Sequence, residues 1–107
     1  MIENTALRSS VDRLMPDCAP EEALAALLLD EARRNLVKYR AIDRRFRQKY
    51  QITFAEFRQK VVGADTSFEE EQDYFDWELA VTGIEEMEEE IRNLEALVQP
   101  GINPSVV

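Results

Sequence analysis

Between Asp73 and Val98 the chain reads DYFDWELAVTGIEEMEEEIRNLEALV, and Trp77, Ala80, Ile84, Met87, Ile91, Leu94 and Val98 follow one another at alternating steps of three and four. That spacing is the a/d seam of a helix lying along another helix. A second row of the same kind, Ala25, Leu28, Ala32, Asn35, Tyr39, Ile42 and Phe46, runs between Pro20 and Tyr50 with no helix breaker inside it. Roughly 30 residues at about 1.5 Å rise give that helix a length of ~45 Å. Leu24, Leu27, Leu29 and Leu36 widen its apolar face, so its first half is expected to touch more than one neighbour. Asn35 on the seam either fixes register or sits partly exposed at the helix edge.

Local signals set the ends of these helices. Pro20 followed by Glu21 and Glu22 suits a first helical turn, where proline loses no hydrogen bond and acids meet the dipole. In YQITFAEF, Thr53 and Glu56 form a capping box, with Ile52 and Phe57 placed as its hydrophobic staple. The short helix so opened runs to about Val62, where Gly63 ends it as a C-cap glycine. Ser67 and Glu70 supply a second capping box. The expected fold is all-α: two long antiparallel helices, about 20–50 and 67–98, linked by a short helix, about 54–62, with coiled-coil-like packing.

Leu7, Val11 and Leu14 predict a short amphipathic helix within an N-terminal segment 1–19, ahead of a helical domain 20–98. Pro100, Gly101 and Pro104 mark 99–107 as a flexible tail. Phe68, Tyr74, Phe75, Trp77, Leu79, Ala80 and Val81 occupy most of the circumference of the last helix, which predicts burial against more than one element. Beyond Gly83 only the narrow seam remains, so Gly83 is expected to mark a bend or a close helix approach.

Charge sharpens this picture. The 107 residues carry a net charge of -9, unevenly spread. Met1 to Ala32 holds two basic and seven acidic residues, net -5; Arg33 to Lys60 ten and two, net +8; Val61 onward one and thirteen, net -12. Arg33, Arg40 and Arg47 recur every seven residues beside the second seam. Antiparallel folding with residues near 68 opposite those near 47 sets Arg40 and Arg47 against Glu69 to Asp76. It leaves the block Glu85 to Glu95 beside residues 20–30, without cations. Parallel self-pairing of the last helix would oppose Glu90 and Glu95 to their like, so a basic protein partner is the expected solution.

Candidate chemistry narrows the classes further. One cysteine, Cys18, and no histidine exclude disulfides within the chain, thiolate-rich zinc sites and histidine triads. Carboxylates at helical spacing, such as Glu70 with Asp73 and Glu85 with Glu88, raise metal-dependent nucleotide hydrolysis. However, Glu-x-x-His is absent and the order of paired Glu followed by Glu-x-x-Asp is not met. No cofactor is expected. The basic stretch RRNLVKYRAIDRRFRQKY interleaves aromatics and cations, yet its charges circle the helix, so nucleic acid is expected only through a partner that masks the acid. No apolar run has signal-peptide or membrane-spanning length, which makes the cytoplasm the expected compartment and a membrane no partner.

The pairing of KYQITFAEF with EEEQDYFDWELAVTGIEEMEEEIRNLE, over roughly residues 24–97, resembles a type of small, acidic, all-helical bacterial and archaeal protein regarded as the antitoxin of a toxin–antitoxin pair. Tyr50, Ile52, Phe54 and Phe57 carry the likeness in the turn; Asp73, Tyr74, Phe75, Trp77 and Glu78 carry it at the entry to the last helix. The first twenty residues do not resemble a ribbon-helix-helix segment. The resemblance implies neutralisation of a basic toxin by the acidic C-terminal helix.

The expected function is therefore that of a protein–protein interaction module and not an enzyme. Its candidate partner-binding residues are Trp77, Ile84, Met87, Ile91 and Leu94 on the seam, with Glu85, Glu88, Glu89 and Glu90 as the charge contact. A homodimer or hetero-oligomer is expected; a homo-oligomeric helical scaffold or adaptor is the alternative, and the metal-dependent hydrolase stands third. Replacing Ile84 and Ile91 by Asp is expected to abolish partner binding or self-association, read by light scattering. A soluble, fully helical variant with unaltered assembly would contradict the seam assignment.

Overall fold

Polar side chains at the start of each short helix close the backbone donors that a helix leaves open. In the computed structural model, which describes residues 3–63 and 65–98, Asn4 Oδ1 accepts from the Leu7 amide at 3.1 Å and opens α1, Thr5–Leu14. Next come α2, Pro20–Tyr50, α3, Phe54–Val62, and α4, Phe68–Val98. The fold is all-α, with the long helices α2 and α4 packed against each other and no strand among the described residues. The expected tail, 99–107, lies outside the described residues.

Both capping boxes form. The Glu56 amide donates to Thr53 Oγ1 at 3.2 Å while the Thr53 amide donates to Glu56 Oε1 at 3.0 Å. Ser67 and Glu70 exchange the same two bonds, each at 3.1 Å. Gly63 does cap α3, but at φ -99, so it makes no use of the left-handed conformation expected of it. That conformation falls instead on Gln51, at φ 60, where α2 stops and its amide donates to the Arg47 carbonyl at 2.8 Å.

The chain divides into two compact units, Met1–Arg33 with Glu89–Val107, and Arg34–Glu88. In the first, Ala23, Ala25, Leu29, Ala32 and Leu94 are buried. Leu28, expected on the seam, is half exposed, and Leu29 takes the inward position. A strict three-four count cannot tell neighbouring leucines apart; small Ala25 and Ala32, which allow close approach, select Leu29.

The second unit is built on aromatic rings. Trp77 and Phe57 are fully buried and Phe46 nearly so. The indole lies 5.5 Å from the Phe46 ring, 5.2 Å from Phe57 and 5.4 Å from Phe54 by centroids. Ile52 packs on this cluster with Tyr50 and Tyr74, as a staple at the head of α3 should. Burying an indole of about 150–250 Å² is worth ~4–6 kcal/mol by area, more than any other single side chain here offers. Its Nε1 donates to Asp43 Oδ1 at 2.8 Å, so no indole donor is left unpaired in the core.

Ring packing also sets the register, which differs from the sequence expectation. Arg40 lies opposite Glu88, at 3.0 Å, and not against Glu69 to Asp76; Arg47 turns back to Asp43 in its own helix, at 3.1 Å. Lys49 takes the acids at the head of α4, reaching Asp73 at 2.6 Å and Glu69 at 2.7 Å. A count of residues along two helices is blind to where Trp77 can be accommodated, and that decides which charges meet.

Gly83 is buried where α4 meets Tyr39 of α2: a Cβ added there would come within 2.6 Å of the tyrosine ring. The close approach expected at this glycine is therefore real, and α4 continues through it without a break. Gly83→Ala is expected to lose about 1–2 kcal/mol through overpacking, although alanine is favoured in a helix by ~1 kcal/mol. In a Tyr39→Ala background the same change should become stabilising. Urea denaturation of the four proteins checks this double-mutant cycle; the same sign in both backgrounds would refute the contact.

Candidate functional site

The candidate residues fall on α4, and the structure separates them by exposure. In the unit Arg34–Glu88, Trp77 is fully buried by its own chain, so its indole holds the fold and presents nothing to a partner. Ile84 and Met87 are half-buried along the seam and Glu85 is exposed. Glu88 is half-buried and pairs with Arg40. In the other unit, Leu94 is buried, Ile91 is half-buried, and Glu89 and Glu90 are exposed. There Arg33 pairs with Glu95 at 2.9 Å. The acid block is thus not left wholly without cations, as the sequence had suggested, because two of its members meet arginines of the heptad row.

Each of these rungs is exposed on both sides, and such pairs contribute about 0–1 kcal/mol. They orient the helices more than they hold them. The third arginine of the row, Arg47, would meet Val81 if the heptad pattern continued, which offers no charge; Asp43 receives it instead. A shallow cavity of about 420 Å³ lies there, lined by Arg40, Asp43, Arg44, Arg47, Val81, Ile84 and Glu85. Three arginines and two acids line it, so its charges largely balance.

Lys49, Tyr50 and Asp73 form the most tightly coupled polar group. The Tyr50 hydroxyl donates to Asp73 Oδ2, the oxygen that also accepts from Lys49. Burial, then this hydrogen bond, pushes the phenol up to about 12. Hydrogen bonds to Asp73 and Glu69 hold the Lys49 ammonium above its usual range. Burial acts to raise the Asp73 carboxyl, but the bonds from Lys49 and Tyr50 outweigh it and the group ends below the ordinary carboxylate range. Glu56 and Glu70 are lowered too, first by the backbone amides of Thr53 and Ser67 that donate to them. This group closes the head of α4 onto α2.

Among the described residues no three acidic or cysteine side chains are grouped so as to hold a metal ion, and no helix is long and apolar enough to cross a membrane. No family model, curated protein or solved structure matches this chain.

One feature of α4 runs against the sequence reading. Phe68, Phe75 and Leu79, expected to be buried against more than one element, are exposed at 81%, 58% and 69%. Their spacing of seven and four was visible in the sequence as a second apolar row, on the side of the helix away from Trp77.

The polar cluster makes stability depend on pH at both ends. Folded Tyr50 and Lys49 keep protons that the unfolded chain gives up, so their contribution is full below about pH 10 and is lost as pH rises toward 12. Asp73, Glu56 and Glu70 contribute above about pH 4 and lose that contribution as pH falls through their lowered values. Tyr50→Phe is expected to flatten the alkaline fall in a urea-midpoint profile while leaving the acid limb in place. An unchanged slope above pH 10 would dissociate Tyr50 from the effect.

Proposed function

We propose that this chain is a protein–protein interaction module that takes a basic partner on the acidic helix α4 and masks that partner's active surface, in the manner of the antitoxin-type proteins it resembles. One observation carries the reading: α4 has no lysine or arginine between Phe68 and Ile91, and Glu85, Glu86, Glu89 and Glu90 stand exposed on it. The two arginines that reach the acid block engage Glu88 and Glu95 and leave those four glutamates to a partner. Their field would speed encounter with a basic surface and discriminate against acidic ones. The function is binding and not catalysis, with the cytoplasm as its compartment.

Self-assembly into a scaffold is the second reading, and it is favoured by Leu24, Leu27 and Leu28, which lie about one turn apart on α2 and are each about half exposed. Glu21, Glu22, Asp30 and Glu31 surround these leucines, so a symmetric pair would bring like charges together.

Co-expression with the product of the adjacent open reading frame tests the leading idea. Co-purification and relief of that product's toxicity are expected; a neighbour that is neither bound nor neutralised sinks it. Reversing Glu86, Glu89 and Glu90 to Lys should weaken the basic partner at least tenfold at low salt, chiefly through slower association, with the difference shrinking as salt is raised. Equal affinity at low salt would remove charge from the mechanism.

A further inference from the structure

Phe68, Phe75 and Leu79 lie at i, i+7 and i+11 of α4, a spacing that puts them in one row over about 16 Å of helix. A phenyl ring exposed at 58% or 81% is ordinary when alone; three large apolar groups in one row, on a helix whose opposite side already fills the core with Trp77, form a second apolar face. The row borders on acid. Glu71 and Asp76 are exposed on either side of it, Glu78 flanks Leu79, and Glu86 continues the row about two turns beyond. Among the described residues none of these four has a cationic partner: Glu71 accepts from Thr66, Asp76 from Gln72 and Glu78 from Tyr74. Beside the row, a groove of about 640 Å³ between α3 and α4 adds the apolar side chains of Val62, Val81 and Phe54, with Glu78 and Glu85 outnumbering the one cation in its lining, Arg58.

We infer that this outward row is the docking face for an amphipathic helix of a partner protein, with apolar residues at i, i+3, i+4 and i+7 and with lysine or arginine along both edges. The inference rests on the proposed basic partner and moves its point of contact from the seam, which the chain uses for its own packing, to the opposite side of α4. Charge complementarity chooses the occupant. An acidic or neutral helix would leave the bordering carboxylates facing like charge or apolar surface, whereas a basic one pairs with them as Phe75 and Leu79 are covered. A second copy fits poorly, because its own α4 brings the same acid, and its basic α2 surface between Arg34 and Arg45 offers only Val37 and Ala41 as apolar contacts.

Two synthetic helical peptides of equal positive charge test this: one with leucine on one face and lysine on the other, and one with glutamine in place of leucine. Titration calorimetry with the full chain at low salt is expected to show the leucine peptide binding at least tenfold more tightly. Phe75→Ser with Leu79→Ser, both exposed and hence outside the core, should bring the two affinities together without changing circular dichroism or the urea midpoint. Equal binding of both peptides by the unaltered chain would overturn the apolar row while leaving the charge reading intact. Failure of both peptides to bind would overturn the basic partner itself. Leucine-peptide affinity unchanged by the double substitution would place docking elsewhere. A drop from dimer to monomer in light scattering on the same substitution would show a second copy to be the occupant and refute the inference.

Discussion

The indole of Trp77 enters a space walled by Phe46 from α2 and by Phe54 and Phe57 from α3, with its N–H fixed on Asp43. A buried N–H without an acceptor would cost about 1–3 kcal/mol, so the indole needs its rings and its carboxylate at once. The register that α4 takes on α2 within this unit satisfies both. Once Trp77 is seated beside Asp43, Gly83 meets the Tyr39 ring and Glu88 meets Arg40. The capping box at Thr53 belongs to the same construction, since it fixes the start of α3 and hence the place of Phe57.

Charge follows from packing here more than it directs it. The rungs between arginine and glutamate are exposed and individually weak. Arg47, which has no acid opposite, is drawn to Asp43, where it offsets the charge of the carboxylate that serves Trp77. The acids that remain outside these pairings are those that a partner can use. The chain segregates its charges, with ten cations between Arg33 and Lys60 and twelve carboxylates on α4, but packing brings only some of these into pairs.

Helix α4 therefore presents two different faces in the unit Arg34–Glu88. The face with Trp77 and Ala80 is consumed by the fold; the face with Phe75 and Leu79 is apolar, acid-bordered and uncovered. A partner-binding reading fits the second face better than the seam. Interface cores are aromatic-rich and depleted of charge at the centre, with polar groups at the rim.

The elements are written locally in the chain. Helix periodicity, the Thr53 and Ser67 capping boxes and the position of Gly83 are local signals, carried by residues within a few positions of one another, and they appear in the fold where the chain placed them. The segregated acid of α4 was equally legible. Packing alone settles which residue meets which across helices: Arg40 with Glu88, Leu29 inward where Leu28 had been expected, and Phe68, Phe75 and Leu79 left outside. In the unit Arg34–Glu88 the outcome depends on where the Trp77 ring fits, and in each unit periodicity along one helix carries no information about the volume another helix leaves open. The candidate site moved for the same reason: a row of apolar residues marks a face that can be buried, and only the packed chain shows which face its own core has already taken.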